Sequence, residues 1–90
     1  MNVNEEKNIE YLYEVIKNID TVEDCRILFT DLCTPKEIEA MAQRMTAAKL
    51  LMSGKTYEQV IAVTNISSAT LSRVSRCVQY GTGYKKFIRP

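Results

Sequence analysis

Helix-start signals constrain this chain more than any other feature of its sequence. Thr34-Pro35-Lys36-Glu37 and Thr56-Tyr57-Glu58-Gln59 both match the capping-box pattern, in which a threonine and a glutamate or glutamine satisfy the backbone at the start of a helix. Ser67 provides a third N-cap candidate. Apolar residues recur three or four positions apart, and no long stretch alternates at strand spacing. We therefore predict an all-α fold of five to six helices, over about residues 4–19, 22–32, 35–53, 57–64 and 68–80.

The apolar stripes predict which positions of these helices are buried. Methionines at helical spacing are more typical of a protein core than of a ligand site, so the methionine series of the third helix is interpreted as core. The predicted inner positions are Ile9, Leu12, Val15, Ile16 and Ile19 in the first helix, Val22, Cys25, Leu28, Phe29 and Leu32 in the second, and Ile38, Met41, Met45, Ala48, Leu51 and Met52 in the third.

Two short helices joined by a four-residue turn are the most informative part of the chain. The first, with Val60, Ile61 and Val63 as buriable positions, ends before Asn65, a residue type that tolerates the left-handed backbone of a tight turn. Ile66 plugs the turn and Ser67 caps the second helix. Leu71, Val74 and Val78 form the inner face of that second helix. This order is typical of a helix-turn-helix, which we place at residues 56–78.

The opposite face of the second helix favours a nucleic-acid partner. Residues 68–76 carry short hydroxyl side chains, Ser75 among them, and two arginines, without an acidic residue. Short side chains let a helix approach the major groove, and arginine pairs with guanine. Residues 41–90 hold eight basic groups against one acidic group, whereas residues 1–40 hold four against ten. We predict that double-stranded DNA contacts Lys55, Thr56, Tyr57, Gln59, Ser67, Ser68, Ala69, Thr70, Ser72, Arg73 and Arg76, with further phosphate contacts from Lys49, Lys85 and Lys86.

Composition argues against several other classes of protein. The absence of histidine excludes a Ser-His-Asp triad and a His-ligated metal site, so we expect no enzyme, no catalytic residue, no metal and no cofactor. Three cysteines without C-x-x-C spacing favour free thiols and a cytoplasmic location. No apolar run is long enough to span a membrane. A chain of 90 residues allows one domain, whose thin core is marginal alone or is completed by a partner subunit.

Several motifs of this chain, in the order in which they occur, resemble those of the tryptophan repressor superfamily. Within that superfamily they are most similar to the YerC/YecD branch of bacterial proteins. They are Leu32-Cys33-Thr34-Pro35, Glu39-Ala40-Met41-Ala42-Gln43-Arg44 and Ala69-Thr70-Leu71-Ser72-Arg73. The resemblance implies an intertwined homodimer in which residues 1–32 dimerise, 34–53 form a central helix, 56–78 bind DNA and 79–90 form a tail. It also implies a transcriptional regulator, most simply a repressor, that places one recognition helix per subunit in successive major grooves.

The same resemblance implies a small-molecule site at Thr34, Arg44 and Arg73. Val74 and Cys77 stand where the tryptophan repressor has a glycine and a serine, which argues against tryptophan as the corepressor. Two alternatives to an autonomous DNA-binding repressor remain open. One is a protein-interaction module on the same fold that does not bind DNA, and the other is a repressor that requires an unidentified small-molecule effector.

Overall fold

A computed structural model describes residues 2–89, and every regular element in that part of the chain is a helix. The chain divides into two compact units, one ending at Thr34 and the other beginning at Pro35. The described elements are α1 (Val3–Lys17), α2 (Val22–Leu32), α3 (Pro35–Met52), α4 (Tyr57–Thr64), α5 (Ser68–Tyr80) and α6 (Gly83–Phe87). None of these helices combines the length and the apolar character of a membrane span.

The first unit consists of two capped helices with an incomplete core. The Asn2 side chain accepts from the Glu5 amide at 2.9 Å, and the Thr21 side chain accepts from the Asp24 amide at 3.0 Å. No residue of α1 or α2 is buried within the single chain. The prediction that Val22 and Leu32 are inner positions is therefore wrong for one copy of the chain, since they are 76% and 48% exposed. Both residues therefore leave much of their apolar surface exposed in the single chain.

The second unit holds the core of the protein, in which α3 contacts α4, α5 and α6. Ala47 and Ala48 of α3 are fully buried, and their small side chains let the other helices approach closely. The remaining buried apolar residues come from α4, the turn that follows it, and α5. They are Val60, Ile66, Leu71 and Val74, as the sequence predicted.

A glycine ends α3 and sets the direction of the chain towards α4. Gly54 has a φ of +88°, a conformation that other residues rarely adopt. The Gly54 amide donates to the Leu51 carbonyl at 3.0 Å, and the Lys55 amide donates to the Leu50 carbonyl at 3.1 Å. This pair of bonds is a Schellman motif, and it ends α3 close to the predicted limit at residue 53.

Three positions in the second unit differ from their predicted burial. Met45 and Val63 were predicted to be buried, but they are 54% and 69% exposed. Ser75 was predicted on the outer face of α5, but it is only 7% exposed. Ser75 lies one position after Val74 and four after Leu71, so it widens the apolar stripe where α5 packs against both α3 and α6.

The tail contains a sixth helix, which agrees with the predicted count of five to six, although no position was predicted for it. Tyr84 and Ile88 of this segment pack against the core, and α6 contacts both α5 and α3. Lys85 Nζ donates to the Gln79 carbonyl at 3.0 Å, which satisfies a backbone group near the end of α5. The amino group of Lys85 therefore caps a helix in this structure, although the sequence placed it among the phosphate contacts.

Candidate nucleic-acid interface

The turn between α4 and α5 fixes the direction in which α5 leaves the body of the second unit. Asn65 adopts the left-handed conformation, with φ 58° and ψ 24°, and its amide donates to the Ile61 carbonyl at 2.8 Å. Ile66 follows and is buried in the core. Both features agree with the predicted turn, and α4 and α5 both pack against α3.

Side-chain caps begin both helices of this pair. Thr56 and Gln59 form a complete capping box. The backbone amide of Gln59 donates to Thr56 Oγ1 at 3.2 Å, and the backbone amide of Thr56 donates to Gln59 Oε1 at 2.9 Å. Ser67 Oγ accepts from the Thr70 amide at 3.2 Å and donates to Thr70 Oγ1 at 2.9 Å. The side-chain oxygens of these four residues are therefore engaged in holding the helix starts, which gives the residues a positioning role beside any contact with a partner.

The exposed face of α5 is basic and made of short side chains. Ser68, Ala69 and Ser72 are exposed near its N-terminus, and Arg73 and Arg76 are exposed further along. In the part of the chain that the structure describes, neither arginine forms a salt bridge. Of the eleven residues predicted to contact DNA, ten are exposed and Thr70 is half-buried, and all lie in the second unit.

The structure brings two of the three predicted effector residues together. Arg44 of α3 and Arg73 of α5 line one surface cavity of about 490 Å³, with Ala69 and Thr70. Thr34, the third predicted residue, belongs to the first unit and directly precedes α3. Val74 does not line this cavity but is buried in the core. The cavity thus shares Ala69, Thr70 and Arg73 with the predicted DNA contacts.

A second cleft was not predicted from the sequence. Its volume is about 580 Å³, and its lining is almost entirely apolar, with residues from α3, the end of α5 and the tail. The cleft depends on α6, for which no local sequence signal existed. Its lining residues are Met45, Cys77, Gly81, Gly83, Tyr84, Phe87 and Ile88.

Residues 2–89 contain no cluster of three or more cysteine, aspartate or glutamate side chains arranged to hold a metal ion. The three cysteines are free thiols, as their spacing predicted, and each is half-buried.

The sequence of this chain is similar to that of a known protein family. The family model of the Trp repressor protein matches residues 7–89. The uncharacterized protein YerC of Bacillus subtilis strain 168 is 41% identical over 75 residues, which cover 83% of this chain and 72% of that protein.

Two solved structures are similar in both fold and sequence. One is a candidate Trp repressor from Staphylococcus aureus, with a TM-score of 0.84, 33% identity, and coverage of 94% of this chain and 88% of that one. The other is a TrpR-like protein from Eubacterium eligens ATCC 27750, with a TM-score of 0.84, 34% identity, and coverage of 89% and 84%.

Proposed function

Because the chain belongs to the family of the Trp repressor protein, as a YerC-type member, we propose that it is a DNA-binding transcriptional regulator. In this proposal it acts as a homodimer in the cytoplasm and binds DNA with the pair formed by α4 and α5. The observation that carries the proposal is the exposed face of α5, where short side chains accompany two arginines and no acidic residue.

The N-terminal half of α5 suits the major groove. Ser68, Ala69 and Ser72 have short side chains, so the helix backbone can lie close to the base edges. Arg73 and Arg76 supply guanidinium groups that pair with guanine or with phosphate. Lys55 and Tyr57 are exposed beside the start of α4, and in this proposal they contact the sugar-phosphate backbone.

Fluorescence anisotropy with a mixed-sequence duplex at several salt concentrations tests this proposal. We expect wild-type binding that weakens steeply with salt, because each phosphate contact releases counterions. Arg73→Ala should weaken binding by roughly tenfold or more and lower the salt slope, whereas Arg26→Ala, the same change in the first unit, should have little effect. If both variants lost the same amount of DNA affinity, net charge alone would explain the loss. No wild-type binding at low salt would contradict the proposal and favour a protein-interaction module.

The homodimer is supported by the first unit, whose helices leave large apolar side chains exposed in the single chain. A second copy that covers this surface would supply the missing core. Two recognition helices related by a two-fold axis would then meet half-sites about one DNA turn apart.

The cavity between Arg44 and Arg73 favours a second candidate function, a regulator whose DNA binding requires a small molecule. Two guanidinium groups suit a ligand with a carboxylate or phosphate group. The same anisotropy titration, repeated with L-tryptophan and separately with inorganic phosphate, tests this function. An affinity increase with either probe that is lost in Arg44→Met would support it. No increase with either would count against these ligand classes and for autonomous DNA binding.

A further inference from the structure

Gln43 joins α3 to the end of α4 by a hydrogen bond that the proposed DNA contacts do not involve. Gln43 Nε2 donates to the Thr64 carbonyl at 3.1 Å, across 21 residues of sequence. Thr64 is the last residue of α4, so its carbonyl has no acceptor role within that helix. Both residues are half-buried, and an unpaired carbonyl in such surroundings is costly. The bond therefore satisfies a backbone group that the end of α4 leaves open.

Thr64 is also the centre of the local bonds that shape the turn. Its hydroxyl donates to the Val60 carbonyl at 2.8 Å and accepts from the Ile66 amide at 3.3 Å. These bonds, with the Asn65 amide bond to Ile61, tie the turn to α4. The bond from Gln43 ties the same residue to α3, the helix against which α4 and α5 both pack.

The burial of Ile66 also attaches the turn to the core, but apolar packing has little directional preference. A hydrogen bond between an amide and a carbonyl does have a preferred geometry. The Gln43 bond consequently restricts how far Thr64 can shift along α3. Since α5 begins only four residues after Thr64, any such shift would change the angle at which α5 leaves the turn.

From this geometry we propose that Gln43 is a positioning residue for the recognition helix. It holds the turn at Thr64 in place, and so determines how strongly the α5 face prefers one DNA sequence over others. The effect on DNA rests on the function proposed above, whereas the effect on the turn does not.

Gln43→Met tests the proposal because methionine keeps the length of the side chain but has no donor. Gln79→Met is the matched control, since the side-chain amide of Gln79 makes only a long hydrogen bond, from Nε2 to Ser75 Oγ at 3.5 Å. Two measurements are made on the full chain. The first is hydrogen exchange of the Asn65 and Ile66 amides. The second is the ratio of affinities for a duplex selected by the wild-type protein from a random pool and for a mixed-sequence duplex.

In Gln43→Met we expect exchange at Asn65 and Ile66 to accelerate by roughly two- to tenfold, the factor that corresponds to one net hydrogen bond. The amides of the α3 and α5 interiors should keep their wild-type rates. The affinity ratio should fall by a similar factor while the salt slope stays unchanged, because the phosphate contacts remain. Gln79→Met should change neither quantity.

If the Asn65 and Ile66 amides of Gln43→Met exchange at the wild-type rate, the proposal is overturned, whatever happens to DNA binding. Faster exchange throughout the second unit with an unchanged affinity ratio would also overturn it, since that pattern belongs to a residue that only adds stability. If the wild-type protein does not bind DNA at low salt, the proposed function fails. The exchange rates at Asn65 and Ile66 would still decide whether Gln43 holds the turn.

Discussion

Asn65 carries the backbone strain of the turn before α5. Its φ of 58° and ψ of 24° lie in the left-handed region, which costs most non-glycine residues about 1–2 kcal/mol. Asparagine is several-fold enriched in that region compared with most other non-glycine residues. The residue type therefore helped to identify the turn from the sequence, although three residues, 65–67, separate α4 from α5 where four were predicted.

We predict that Asn65→Ala destabilises the second unit by about 1 kcal/mol, because alanine is less favourable than asparagine in the left-handed conformation. Asn18→Ala is the control, since Asn18 also follows the end of a helix but adopts the right-handed helical conformation, with a φ of −78°. Urea unfolding of both variants measures the change. A lower midpoint for Asn65→Ala alone is expected. Equal shifts would show that the left-handed backbone is not what makes Asn65 important.

At the scale of the element, short-range signals predicted most of what the structure contains. The capping box of Thr56 and Gln59 and the cap at Ser67 both depend on residues a few positions apart. Local sequence is sufficient for such features because both partners of each bond are neighbours in the chain. The site benefits directly, since caps and turn together place α5.

Features that depend on distant contacts were not predicted. A five-residue helix such as α6 cannot nucleate by itself, and its stability comes from the packing of Tyr84 and Ile88 and from the bond between Lys85 and Gln79. The burial of Ser75 depends on the meeting of α3, α5 and α6. The bond from Gln43 to Thr64 spans 21 residues, and nothing in the local pattern marks either partner.

At the scale of the whole molecule, apolar surface and charge are unevenly distributed along the chain. The buried residues all lie in the second unit, while α1 and α2 have none. The sequence predicted inner apolar stripes on α1 and α2, but no residue of either helix is buried in the single chain, and the burial of those stripes depends on what covers them. The acidic groups concentrate in residues 1–40, so the apolar surface without a partner is on the half of the chain that would repel DNA.

That separation leads to a prediction about assembly. Leu32 is half-exposed at the end of α2 and lines an apolar groove with Leu12, Val15 and Leu28. If a second copy covers this groove, Leu32→Glu places a charge in an interface without a partner, which is costly. Val63→Glu is the control, because Val63 is an equally apolar and even more exposed residue in the second unit.

Sedimentation velocity measures the outcome. The sedimentation of the wild-type chain should correspond to a mass twice the 10.3 kDa of one copy, and that of Val63→Glu should be the same. Leu32→Glu should shift the population towards the single chain and weaken DNA binding in parallel, because two linked recognition helices bind more tightly than one. A Leu32→Glu protein that stays dimeric would contradict this assignment, since the groove between α1 and α2 would then not be what a second copy covers.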